Sequence, residues 1–296
     1  MTRTAPATNQ LRKATLFVLA LALVAGTWEL YKALGPEAGG GVLGWRILPK
    51  TGPNAMPHVW DMVSRLFDPE AREGSRQIWR VVAAGAWFSF RLALLGFAIG
   101  SAVGVGLAVL MARFNIVRRG LLPYLVASQT VPLIALAPIV TTWSGKLQPF
   151  GWAMPRWVPV AILGAFLAFF PVSIGTLRGL ESTPATSLEL MRSYAATWGQ
   201  TLRRLRFPAA LPSMVPAFRL AAAASVVGVV VSEISVGLRG GIGRLIIEYG
   251  RQATSDPEKV YTAVFGAAAL GLVMAGLVVA TDGFVMRNRV QPEEAA

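Results

Sequence analysis

The sequence predicts an all-α integral membrane protein of about six transmembrane helices. Three observations carry that prediction. Hydrophobic residues make up 54% of the chain and charged residues only 15%, where a soluble domain averages about 25% charged. The mean hydropathy is +0.54, and a soluble globule of 296 residues cannot bury that much apolar surface and keep a wet exterior. The apolar residues are also gathered into about six segments of roughly 20 residues, the length that crosses the hydrocarbon core of a bilayer.

Residues 1–13 form a short basic tail, expected on the cytoplasmic side, and 14–34 form the first span. Arg12 and Lys13 precede that span, and Ala20-Leu21-Ala22 resembles a signal-peptidase site. The apolar run continues past the site, so the segment reads as a retained helix. Residues 35–83 form an extracytoplasmic and interfacial segment. Pro36, the Gly39-Gly40-Gly41 run, Pro49, Pro53 and Pro57 exclude one continuous helix there. Val59, Met62, Val63 and Leu66 have helical spacing and predict a short interfacial helix.

Residues 84–285 form a five-helix core. The second span, 84–112, carries Gly96, Gly100 and Gly104 on one face, a spacing that admits close approach of another backbone. The third span, 121–143, contains Pro123, Pro132 and Pro138 and reads as a bent helix. Its polar groups, Gln129 and Thr130 with Thr141 and Thr142, make it a candidate liner of a translocation path, together with Pro132 and Pro138. The fourth, fifth and sixth spans cover 158–177, 214–238 and 260–285, and 286–296 form a polar tail. No internal repeat and no separate soluble domain are expected. An even number of spans places both termini on one side. Arg118-Arg119 and Arg203-Arg204 with Arg206 favour a cytoplasmic location for them in a cell (inner) membrane.

The chemistry the chain can carry is narrow. With no cysteine there is no disulfide, iron–sulfur cluster or thiol nucleophile. His58 is the only histidine, so neither a zincin nor a His-dependent triad can be assembled. No P-loop motif occurs. No metal and no cofactor are expected. The net charge of +13 comes from 28 Lys and Arg against 15 Asp and Glu. These basic residues lie between apolar segments, as membrane headgroup anchors do, and no nucleic-acid-binding motif accompanies them. Four ionisable residues fall within or near the spans: Glu29, Arg91, Glu233 and Asp282. Glu29 and Asp282 lie near segment ends and are expected at the interface. Arg91 and Glu233 are expected to neutralise each other as a structural ion pair, with Glu233 also a candidate for the translocation path.

The stretch 178–213, between the fourth and fifth spans, is the most patterned part of the chain. Thr183-Pro184 reads as a helix start, with Thr as N-cap and Pro at the first helical position, and Thr186 to Glu189 fits a capping box. Leu188, Met191, Ala195, Trp198, Leu202 and Leu205 follow at helical spacing and predict one apolar stripe over about five turns. Pro208 and Pro212 are then expected to stop the helix. Such an amphipathic element either lies in the membrane interface or inserts into the groove of a partner.

This stretch resembles the EAA loop of ABC importer permeases, whose pattern is Glu-Ala-Ala, three residues, Gly, nine residues, Ile, one residue, Leu-Pro. Glu189 at the Glu position puts Ala195 at Gly, Leu205 at Ile and Phe207-Pro208 at Leu-Pro. Leu190 and Met191 replace the two alanines. The run from Arg192 to Ala196, then Leu202-Arg203-Arg204 and Phe207 to Pro212, is similar to the nitrate/sulfonate/taurine-type branch. Leu48-Pro49, the Pro132, Ala135, Pro138, Trp143 and Gly145 series, Ser232-Glu233 and Gly241-Ile242-Gly243 match other features of that branch. Ser144, where a Phe is usual, and the longer segment 146–157 depart from it. The resemblance implies a permease subunit that pairs with a second permease copy or paralogue, docks its coupling loop on a separate ABC ATPase subunit, and receives solute from an extracytoplasmic binding protein. It implies no enzymatic activity in this chain. Glu189, Met191, Ala195, Trp198, Leu202, Leu205 and Pro208 would then form the ATPase contact. The competing classes are an ion-gradient-driven carrier, for which neither an inverted repeat nor paired carboxylates are found, and a membrane-embedded enzyme, for which no clustered acids are found. The solute stays open between anionic and heteroaromatic molecules.

Overall fold

The computed structural model describes residues 5–42, 45–71, 76–146 and 154–286. Segment 147–153 and residues 287–296 lie outside it, as do the side chains of Ser144 and Asp282, so the departures expected there have no structural account. Among the described residues five helices are long and apolar enough to cross a membrane, and six if one sharply bent pair counts as a span. The chain divides into two compact units, one of residues 1–81 with 248–264, the other of 82–247 with 265–296.

The first unit begins with α1 (Ala5–Leu34), most of whose large apolar side chains are exposed, as a lipid-facing helix requires. A two-stranded antiparallel hairpin follows, β1 (Gly40–Val42) and β2 (Trp45–Leu48), with Gly39 turning into it at a positive φ of 83°. The all-α reading omitted these short strands. Seven residues are too few to show a period of two beside a Gly-rich turn. The short helix α2 (Val59–Ser64) ends in a 3₁₀ turn over Arg65–Phe67. Glu29 is held by the start of α2. One carboxylate oxygen sits 2.7 Å from His58 Nδ1, and the other accepts the Val59 N–H at 2.7 Å, so it satisfies a free donor at the start of α2. Trp28 Nε1 donates to Pro57 O and the Lys32 ammonium donates to Met56 O, fixing the proline-rich segment along α1.

Within the same unit, Arg65 grips Asp256 with Nη2 at 2.7 Å and Nε at 3.2 Å from both carboxylate oxygens. That charge-assisted fork holds the guanidinium pKa above its ordinary value. The Tyr249 hydroxyl donates to Glu70 Oε1 at 3.0 Å. Burial, and then the Glu70 charge, pushes its pKa above the ordinary tyrosine value, so it remains a donor. Lys259 is buried but satisfied by Glu70 O at 2.9 Å and Gln252 Oε1 at 2.8 Å, over the Tyr249 ring.

The second unit is a helical bundle built from most of α3 (Ile78–Arg113), α4 (Asn115–Ser128), α5 (Leu133–Lys146), α6 (Trp157–Glu181), α7 (Ala185–Ser193), α8 (Trp198–Thr201), α9 (Phe207–Val236), the first part of α10 (Ile242–Arg251) and the later part of α11 (Pro257–Met286), whose residues 78–81, 248–251 and 257–264 belong to the first unit. Helix α3 has 36 residues and is about 54 Å long. Its glycines do admit a backbone. A Cβ at Gly96 would lie 2.9 Å from Ala161 O, at Gly100 2.6 Å from Ala165 O, and at Gly104 2.7 Å from Phe169 O, all on α6. Helices α6 and α9 meet through their own glycines, with Gly164 against Val229 and Ser225, and Gly228 against Leu163 O. Without a hydrophobic drive inside lipid, such close backbone packing is what holds membrane helices together.

Two sequence expectations are corrected here. The third span is not one bent helix but α4 and α5 joined at 104°, a broken span or a re-entrant loop. Pro132 can donate no N–H and disfavours helical geometry at Val131, so the ladder ends at Ser128 and restarts beyond the proline. Pro208 and Pro212, by contrast, do not stop a helix. A single π turn over Leu202–Arg206 passes the Phe207 N–H to Leu202 O, and α9 begins with Pro208 at a position that needs no donor. Pro212 is carried inside α9, and the helical run from Trp198 to Val236 is unbroken.

Candidate functional site

The segment joining α6 to α9 is built from two short helices with a sharp turn between them. Helix α7 starts one residue later than expected. Pro184 is its N-cap, and the Thr183 hydroxyl turns back toward Leu180 O. The capping box lies elsewhere, at the start of α8. There Gln200 N–H reaches Thr197 Oγ1 at 3.4 Å, and Gln200 Oε1 accepts the Thr197 N–H at 2.8 Å. The five-turn stripe is therefore not one helix. Helix α7 closes with Ala196 N–H on Met191 O at 3.0 Å and Ala195 N–H on Arg192 O at 2.9 Å. That pair is a Schellman motif, and Ala195 is its left-handed C′ residue at φ 51°. This position normally takes glycine, because a Cβ is crowded there.

The break divides the expected contact residues into two groups. Leu202 is buried with Leu180, Ala210 and Met214, and half-buried Trp198 packs on that cluster beneath the Arg113 guanidinium, 4.9 Å from the ring centroid. Leu205 and Pro208 are half-buried at the base of α9. These residues root the segment in the bundle. Gly179 meets Ala210 so closely that a Cβ would lie 2.8 Å from its carbonyl oxygen. An ion pair, Arg118 to Glu181 at 2.6 Å, ties α4 to the end of α6. Glu189 and Ala195 face outward instead, and Met191 is half-buried. Leu190 (57% exposed) and Tyr194 (76% exposed) stand beside them, off the expected stripe. The stripe rule missed both, since it treats exposed apolar residues as off-face. An unbroken helical phase could not be trusted across a C′ residue. Thr197, Gly199, Gln200, Arg203 and Arg204 line an open groove of about 570 Å³ on the second helix of the pair.

Of the path candidates, Gln129, Thr130 and Pro132 lie together at the α4–α5 break and are exposed, as is Pro138 in α5. The Thr130, Thr141 and Thr142 hydroxyls donate to the carbonyls of Ala127, Ala137 and Pro138. Glu233 is apart from them and has no accessible surface. The expected ion pair with Arg91 is absent. Ser89 Oγ lies 2.8 Å from each Glu233 carboxylate oxygen, Gly243 N–H donates to Oε2 at 2.9 Å, and Ile242 N–H donates to Ser89 Oγ at 2.9 Å. The carboxylate thus sits on the positive end of α10, and the helix dipole and free N–H groups replace a cation. A Cβ at Gly241 would lie 2.1 Å from Glu233 Oε1, which is why that position is glycine. Arg91 follows Ser89 by two residues, so it projects about 200° around α3, on another face.

Comparison with known proteins agrees with this architecture. Residues 100–287 match the family described as binding-protein-dependent transport system inner membrane component. Over 183 residues the chain is 34% identical to the formylaminopyrimidine transport permease protein ThiX of Halalkalibacterium halodurans, covering 60% of this chain and 67% of that one. Over 193 residues it is 31% identical to the putative aliphatic sulfonates transport permease protein SsuC of Bacillus subtilis, covering 65% and 63%. The match thus spans about two thirds of these relatives' length. The nitrate import permease protein NrtB of Leptolyngbya laminosa is 23% identical over 79% of this chain and 76% of its own. Among solved structures, an inward-facing form of the MetNI methionine ABC transporter superposes with a TM-score of 0.56 at 18% identity, covering 72% of this chain and 98% of that one, a likeness of fold. With bundle, broken span and loop in place, the chain belongs to the binding-protein-dependent transport system inner membrane components, as a multi-pass, non-catalytic permease subunit of the ABC importer type.

Proposed function

We propose that this permease moves a small anionic or heteroaromatic solute, handed over by an extracytoplasmic binding protein, and is driven by a separate ABC ATPase that grips α7. The observation that carries the reading is the two-part loop. An outward-facing helix, with Glu189, Leu190 and Tyr194 exposed, is joined by a hydrogen-bonded turn to a root buried in the bundle. A push on α7 passes through the Schellman turn to Trp198 and Leu202, and from there into α9, which runs unbroken to Val236. The polar, exposed break at Gln129–Pro132 supports a place for the α4–α5 pair beside the solute path, completed by a second permease copy or paralogue. Termini on the cytoplasmic side put the loop and its arginines there as well, as the positive-inside tendency favours. The solute class rests on the relatives, whose names cover formylaminopyrimidine, aliphatic sulfonates and nitrate.

The test is purification in mild detergent from the native cell, followed by mass spectrometry of the co-purifying chains. A stoichiometric P-loop ATPase is expected. It should be lost from Glu189→Arg and Tyr194→Ala variants that keep the wild-type melting temperature. Solute uptake in proteoliposomes unchanged in both variants would sink the coupling assignment.

A further inference from the structure

Arg91 loses its expected partner and needs another account. Among the described residues no carboxylate lies within ion-pair distance of it. Its guanidinium is exposed and rests 6.0 Å from the Trp87 ring centroid and 5.8 Å from that of Phe88. With Leu92, Leu95 and Trp157, Phe88 and Arg91 line an open hollow of about 280 Å³.

The depth of this hollow follows from helix register. Gly96 meets Ala161, Gly100 meets Ala165 and Gly104 meets Phe169, so each contact on α6 lies 65 positions further along the chain. The two helices are therefore parallel and in step. The same offset sets Trp157, the first residue of α6, level with Leu92 and one residue from Arg91. Arg91 is thus level with the start of α6, at the end of the bundle opposite the α7–α8 loop, while about 20 Å of α3 runs on ahead of it. Trp87 (59% exposed) and Trp157 (40% exposed) at this level have the placement of a membrane-interface aromatic belt. One turn further into the membrane, Leu95 and then Ile99 present exposed apolar surface.

We propose that Arg91, Trp87, Phe88, Trp157, Leu92 and Leu95 form a seat for an anionic phospholipid in the leaflet opposite the coupling loop. A guanidinium with free donors matches phosphate oxygens in a fork. The rings keep it at headgroup level, and the aliphatic side chains below accept the first part of an acyl chain. A cation above an apolar strip fits an amphiphile, and it fits neither a free inorganic ion nor a uniformly apolar protein face.

The test uses the full chain carrying Leu95→p-benzoylphenylalanine, reconstituted in phosphatidylcholine vesicles with a minor share of phosphatidylglycerol. The chain is irradiated and its covalent adducts are weighed by mass spectrometry. Phosphatidylglycerol adducts are expected at about five-fold above their share of the bilayer, the discrimination of one basic group near a membrane surface. Added inorganic phosphate should not reduce them. Arg91→Gln should return the ratio to the bulk value, Arg91→Lys should keep part of the enrichment, and Arg80→Gln should leave it intact. If Arg91→Gln fails to fold, the Lys variant still reads out the loss of the fork. Adducts of bulk composition, no lipid adduct, capture of a second copy of the chain, or enrichment that survives Arg91→Gln would each overturn the proposal.

Discussion

Ala195 is the residue on which the geometry of the α7–α8 turn depends. It holds φ 51° with a Cβ in place, a conformation that disfavours any non-glycine residue by about 1–2 kcal/mol. Replacing it by glycine removes that strain but loosens the unfolded chain, which offsets about 0.5–1 kcal/mol of the gain. Ala195→Gly should therefore stabilise the turn by roughly 0.5–1 kcal/mol, two- to five-fold in the closed population. Ala195→Val adds a β-branched side chain where even alanine is strained, and should destabilise it by about 1–2 kcal/mol beyond the present state. The reporter is the Ala196 amide, whose hydrogen bond to Met191 O at 3.0 Å exists only while the turn is closed. Its hydrogen exchange should slow about two- to five-fold in the glycine variant and quicken about five- to thirty-fold in the valine variant. Transport per ATP hydrolysed, measured with the ATPase in proteoliposomes, should fall in the valine variant and hold in the glycine variant. Faster exchange in Ala195→Gly, or an unchanged rate in Ala195→Val, would refute the reasoning that this turn is a left-handed cap.

Other expectations follow from single contacts. Gly100→Leu places a side chain 2.6 Å from Ala165 O and should abolish the folded monodisperse peak in size-exclusion chromatography, while Gly106→Ala, with open space around it, should not. Glu233→Ala leaves the Gly243 N–H without its partner and should destabilise by about 1–3 kcal/mol, read as a lower melting temperature, whereas Glu233→Gln keeps an acceptor and should lose less. Equal melting temperatures for the two variants would exclude the capping role. A double-mutant cycle on Arg65→Ala and Asp256→Ala should show coupling of about 1–3 kcal/mol, since the pair is a fork and mostly enclosed; additive losses would contradict it.

The membrane class, the approximate place of the long apolar helices and the loop that carries the family pattern are legible in the chain itself, although α3 begins at Ile78 rather than 84 and α9 at Phe207 rather than 214. Hydropathy summed over about 20 residues needs no partner to be read, because the bilayer is the partner. The spacing from Glu189 to Pro208 is equally local. Tertiary structure decides what depends on one dihedral angle or on a distant segment. The stripe from Leu188 to Leu205 looks continuous because periodicity is blind to a single left-handed residue, and Ala195 is not the residue type that announces one. The prolines are just as ambiguous. Pro132 breaks a helix and Pro208 does not, although both lack the same N–H. The difference is whether neighbouring backbone can redirect its hydrogen bonds, as the π turn ahead of Pro208 does. Charges show the same limit. Two opposite charges within apolar spans invite pairing, but Glu233 is hydrogen-bonded by Ser89, 144 residues away in sequence, and by the end of α10. Arg91 is left facing outward, on another face of α3 from the Ser89–Glu233 contact. A sequence records which groups must be satisfied, and only the packed helices determine which partner reaches them first.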